Sequence, residues 1–184
     1  MAKRHIPISF TKVIDEAASE SPRAAILVGG SLVEYALTEL IQGSLLFPQT
    51  AEERQYRPGE REIVSTFSEK IWLAYFMGLI GPHARKDLDR IRNIRNECAH
   101  NMNPISFSEG EVAKHCKELR LGRRAIPPFG TPNHREMFMA TVKALASGLF
   151  LRAATASFTR RVHWPDEEDR RPPAREDWED WVEE

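Results

Sequence analysis

The sequence predicts an all-α fold, a helical bundle of about six helices. Three observations carry this expectation. Apolar residues recur three and four apart along most of the chain, helix-start signals precede several of those runs, and no stretch alternates apolar and polar as a half-buried strand does.

Phe10, Val13, Ile14, Ala17 and Ala18 form the apolar stripe of a short amphipathic helix. Ser21-Pro22 then supplies an N-cap and a first-turn proline for an apolar helix reaching about Leu46, where Pro48 forbids continuation. Gly29, Gly30 and Gly43 weaken its intrinsic propensity, so packing must hold it, and they admit a neighbouring helix closely. It is predicted to be the central helix. Residues 47–61 read as a polar loop with a Pro58-Gly59 turn. Thr66-Phe67-Ser68-Glu69 has capping-box spacing and opens an apolar helix expected to end at Gly81-Pro82. A charged helix follows over 84–101, closed by Pro104. Ser108-Glu109-Gly110-Glu111 reads as a second capping box, leading a helix to Gly122. Three prolines and a glycine make 123–132 a loop, and one long helix is expected over 133–161.

At 184 residues, 41% hydrophobic and 29% charged, the chain can bury a core and reads as one domain, residues 1–165, followed by a tail. Its longest uncharged stretch, Ile71 to Pro82, falls short of the roughly 18 apolar residues of a membrane span. Met1 to His5 is basic, but no apolar segment and small-residue cleavage site follow, so no signal peptide is expected. Cys98 and Cys116 form neither a CxxC motif nor a disulfide framework, which fits a reducing cytoplasm.

The net charge of −1 conceals an asymmetry. Residues 166–184 hold ten acidic side chains against Arg170, Arg171 and Arg175, a net of −7, which leaves the other 165 residues at +6. That excess is a weak nucleic-acid signal; a solvated, mildly basic surface accounts for it equally well. The tail is expected to be flexible, with Trp178, Trp181 and Val182 as its only large apolar groups.

The segment with chemical content runs from Asp87 to His100. Leu88, Ile91, Ile94 and Cys98 make a buried stripe, while Asp89, Arg92, Asn93, Asn96 and His100 gather on another face. Arg95 stands beside the apolar edge, about 140° round from His100. Arginine offers a forked, permanent cation for phosphate, histidine moves protons near neutral pH, and asparagine can orient an imidazole or a ribose hydroxyl. These parts suffice for metal-free RNA cleavage by 2′-OH attack. From spacing alone the structural role is stronger: such clusters pair with carboxylates like Asp87 or Asp89, or cap backbone carbonyls.

Phe67-Ser-Glu-Lys-Ile-Trp-Leu-Ala-Tyr-Phe-Met-Gly-Leu-Ile80, then Asp87-Leu88, Ile91-Arg-Asn-Ile-Arg-Asn-Glu-Cys-Ala-His100 and Ile105-Ser-Phe107, resembles the bacterial mannitol operon repressor family. The resemblance covers roughly Ser21 to Leu121. Arg95-Asn-Glu-Cys-Ala-His100 also resembles the R-x4-H motif of the HEPN superfamily. The resemblance implies an α-helical bundle, dimeric, whose active members are metal-independent endoribonucleases with Arg and His lining a cleft between subunits. Cys98 stands where related sequences often carry Phe, a packing change. The family name implies transcriptional repression, yet the chain has no helix-turn-helix signature or basic recognition helix, so direct sequence-specific DNA binding is not expected.

Two functions follow as expectations. One is a cytoplasmic, homodimeric regulator working through protein or RNA contacts. The alternative is an endoribonuclease of toxin or phage-defence type, with Arg95 holding phosphate, Asn96 orienting the attacking hydroxyl and His100 moving protons. Whether the chain is an enzyme stays open at this point. Arg92, Asn93, Arg123 and Arg124 are candidate phosphate or partner contacts. Cys98, His100, His115 and Cys116 lack the spacing of a structural zinc site, and no metal or other cofactor is expected. Neither Gly29-Gly30 nor Gly78 sits in a phosphate-loop context.

Overall fold

The computed structural model describes residues 10–45, 64–125 and 132–156, and every regular element among them is an α-helix. In chain order these are α1 (Phe10–Ser19), α2 (Pro22–Ser44), α3 (Phe67–Phe76), α4 (Pro82–His100), α5 (Gly110–Glu118), α6 (Leu121–Ala125) and α7 (His134–Ala156). The loop expected over 47–61, the acidic tail with Trp178 and Trp181, and the last residues of the helix expected over 133–161 lie outside the described residues.

Local signals account for most boundaries. Ser21 accepts a hydrogen bond from the Ala24 amide at 3.3 Å, and Pro22 takes the first helical position of α2. The Thr66 hydroxyl accepts from the Glu69 amide at 3.2 Å while Glu69 accepts from the Thr66 amide at 2.9 Å, completing the capping box of α3.

Three expectations need correction. Helix α3 ends at Phe76 rather than continuing to Gly81, because Gly78 adopts φ +69°. The Leu79 amide then reaches the Ala74 carbonyl and the Gly78 amide reaches Tyr75, a Schellman stop. The second capping box does not form: the N-cap of α5 is Glu109, with no side-chain cap bond, and Gly110 at φ +70° turns the chain away from box geometry. The Ser108 amide instead donates to Ser106 Oγ. Finally, the helix expected through Gly122 breaks at Leu119, and a separate one-turn α6 begins at Leu121, part of it where a loop was predicted. Its first amides are held by a residue far away in sequence. The carboxylate of Asp87, fully buried, accepts from the Arg120 and Leu121 amides at 3.0 and 2.8 Å and from Arg90 at 3.1 Å.

Helices α2 and α7 form the centre and run parallel. Gly29 lies against Phe138 and Val142, while Leu40 and Ser44 share a shallow depression with Thr155 and Ala156. Both helices are long and apolar enough to cross a bilayer by length and composition, but about half of each such window is buried inside the protein. They are the core pair: Ile26, Val33, Leu37 and Leu40 of α2 are buried with Phe138, Val142, Leu145 and Leu149 of α7. Helix α4 packs antiparallel to both α2 and α3, as the Arg23–Asn101, Arg95–Glu34, Arg92–Ser68 and Arg85–Trp72 contacts show. Its stripe of Leu88, Ile91, Ile94 and Cys98 is fully buried, as the sequence predicts. That stripe fixes which residues α4 presents outward.

Candidate functional site

The outer face of α4 carries Arg85, Asp89, Arg92, Asn93, Asn96 and His100, a line about 22 Å long by helical rise. Its two ends are anchored differently. At the start, Pro82 takes the first helical position and the N-cap Gly81 offers no side-chain acceptor. At the far end the Arg23 guanidinium donates to the carbonyls of Cys98, Asn101 (2.7 Å) and Asn103 (2.8 Å), closing the carbonyl terminus of the helix with a cation. His100 therefore sits on a terminus made rigid from α2.

Along the face, Arg85 pairs with Asp89 at 2.8 Å. Arg92 donates to Ser68 Oγ of α3 and to Asn93 Oδ1 at 3.0 Å, and lies 3.9 Å from Asp89. Its Nε is buried without a hydrogen-bond partner among the described residues. Asn96 and His100 are exposed, and neither side chain makes a hydrogen bond to a described residue. Thus Asp89 does take up arginines, as spacing suggests, while Asp87 takes Arg90 inside the fold.

Arg95 points elsewhere. Its guanidinium pairs with Glu34 of α2, which also accepts from Lys70 of α3 at 3.0 Å, and it lies over the Phe67 ring at 5.5 Å. Its aliphatic stem fills the space left by Gly30, where an added Cβ would stand 3.0–3.3 Å from three of its carbons. Within the chain no side-chain hydrogen bond among the described residues joins Arg95 to Asn96 or His100. Arg123 is exposed on α6, away from this line in the chain; Arg124 belongs to α6, and its side chain lies outside the described residues.

Both cysteines are buried free thiols. Burial pushes the Cys116 thiol up to about 12, and burial raises that of Cys98 despite the opposing pull of Arg23. Both therefore remain protonated at neutral pH. Among the described residues no three His, Cys, Asp or Glu side chains gather as metal ligands.

Sequence reasoning missed several residues here. Arg23 gives no local sign of capping a helix 75 residues away. Trp72, Tyr75 and Phe76 lie in a run that reads as core, yet Trp72 and Phe76 are exposed and stacked on each other, with Arg85 over the Trp72 and Tyr75 rings. Their i, i+4 spacing on the side opposite Ile71 and Ala74 was the available signal.

Fold and site together define an all-α bundle with a polar, mixed-charge helix face. Residues matching 97% of a chain in the X-ray structure of the MtlR–HPr complex from Escherichia coli superpose on 80% of this chain, with a TM-score of 0.56 and 17% identity. At that identity the likeness establishes an MtlR-like fold. No family model matches the chain, and no curated protein shows significant similarity to it.

Proposed function

We propose that this chain is a cytoplasmic, homodimeric regulator that controls expression through a protein partner docked on the outer face of α4. It belongs, on this reading, with mannitol-repressor-like proteins of the HEPN superfamily. The observation that carries it is the Arg95–Glu34 ion pair. The motif's cation is neutralised inside the subunit and shares its carboxylate with Lys70, so it offers no free phosphate cradle. What remains exposed, Asn96 and His100, is polar surface next to arginines already matched by Asp89, a composition suited to protein contacts. The fold it shares with a chain of a protein–protein complex supports the same direction, and HPr is accordingly the first partner to try.

The endoribonuclease reading draws its support from the unpartnered Asn96, His100 and Arg92 Nε, to which a second subunit could add an arginine. One paired experiment separates the two. The full chain is titrated with HPr by calorimetry and, in parallel, incubated with single-stranded RNA in chelator. Regulation predicts micromolar binding, near −8 kcal/mol, weakened about tenfold or more by Asn96→Arg, and intact RNA. Products ending in 2′,3′-cyclic phosphate, lost by roughly 10²–10⁴ in His100→Ala, would replace it with the nuclease. An absence of heat with HPr would overturn the partner assignment.

A further inference from the structure

Beside the start of α4, α3 leaves an aromatic group in solvent. Phe76 is 78% and Trp72 42% exposed, and their rings stack 5.6 Å apart at 22°. Tyr75 meets Trp72 edge-on at 6.1 Å, and the Arg85 guanidinium lies 4.7 Å from the Trp72 ring centre. Stacked exposed rings decorated by arginine favour an occupant with large apolar groups set among carboxylates.

Three features point to the same occupant, and it is part of this chain. The first is where the described chain ends. Arg152 of α7 donates to the Leu79 carbonyl at 3.1 Å, and Leu79, Ile80, Gly81, Thr155 and Ala156 line one depression. The described chain thus ends, at Ala156, beside the α3–α4 turn, a few positions from Phe76. Twenty-one residues lie between Ala156 and Trp178, a reach of up to about 70 Å, so the tether spans the distance easily. The second is composition. Glu176–Glu184 carries Trp178, Trp181 and Val182 amid six acidic side chains. The third is charge: residues 166–184 are at −7 against +6 elsewhere. Exposed His83 and Lys86, with Arg85 that also pairs with Asp89 at 2.8 Å, surround the first turn of α4, whose N-cap Gly81 lacks a side-chain acceptor.

We propose that Glu176–Glu184 docks in cis on the Trp72–Phe76–Arg85 patch, its tryptophans on the stacked rings and its carboxylates on Arg85 and the start of α4. The segment then shields the end of the α4 face nearest Arg85, whichever macromolecule that face serves. A photo-reactive benzoylphenylalanine placed at position 76 of the full chain tests this, with tryptic mapping of the cross-links. The expected product is a monomer-mass species joining position 76 to the peptide that holds Trp178 and Trp181. Its yield should fall roughly fivefold or more in Trp178→Ser/Trp181→Ser, the scale of one or two lost aromatic contacts, and should also drop in about 1 M salt. Circular dichroism checks that the double variant is folded; if it is not, the wild-type cross-link map decides alone. Cross-links that avoid the tail, or tail cross-links confined to dimer-mass species, would overturn docking in cis.

Discussion

Gly30 decides where Arg95 goes. With no side chain at that position, the arginine stem lies flat on α2 and its head meets Glu34. Gly30→Ala would place a methyl 3.0–3.3 Å from three carbons of that stem and displace it. The expected cost is about 1–3 kcal/mol in chemical denaturation, with the Arg95–Glu34 pair loosened; an unchanged midpoint would show that the stem has room to move. The sequence makes Gly29 and Gly30 legible as sites of close approach but does not say what approaches. Helical-wheel reasoning likewise puts Arg95 beside the apolar edge, which is correct, while its partner Glu34 lies 61 residues away and leaves no periodic trace. His100 and Asn96, by contrast, fall where the wheel places them, on the exposed side.

At the scale of elements, short-range chemistry was readable and long-range capping was not. The Thr66–Glu69 box announces itself within four residues. Its acid dependence is testable: hydrogen bonds from the Thr66 amide and hydroxyl region, with help from Ser65, hold the Glu69 carboxyl below its usual 4.5. A depressed acid contributes stability above its unfolded value, and that contribution is lost as pH falls through the folded one. The melting temperature of wild type should therefore lose its advantage over Glu69→Gln as pH drops from about 6 to about 3. A constant offset across that range would remove the linkage. Asp87 is the opposite case, a residue that reads as one more charge on a polar helix yet caps α6 from inside the fold. Asp87→Ala strands two amides and leaves Arg90, among the described residues, with the largely exposed Glu118, so urea denaturation should register a loss of about 3–5 kcal/mol. Asp87→Asn, which keeps an acceptor, should cost less, about 1–3 kcal/mol.

For the whole molecule, the all-α class was evident from periodicity because nearly every helix buries one stripe against a neighbour. The one helix beyond the expected six, α6, was invisible, since it is a single turn whose cap comes from α4. The proposed homodimer is tested at this scale: light scattering at tens of micromolar should give twice the 21.1 kDa chain mass. A chain that stays monomeric would place the partner contact on a single subunit. The parallel α2–α7 pair has a consequence for how the protein is made. The helix with the most extensive contact to α2 is the last one described in the chain. At 5–20 residues per second, a ribosome needs on the order of ten seconds to travel from Ser44 to Ala156. During that interval the apolar side of α2 lacks its broadest cover.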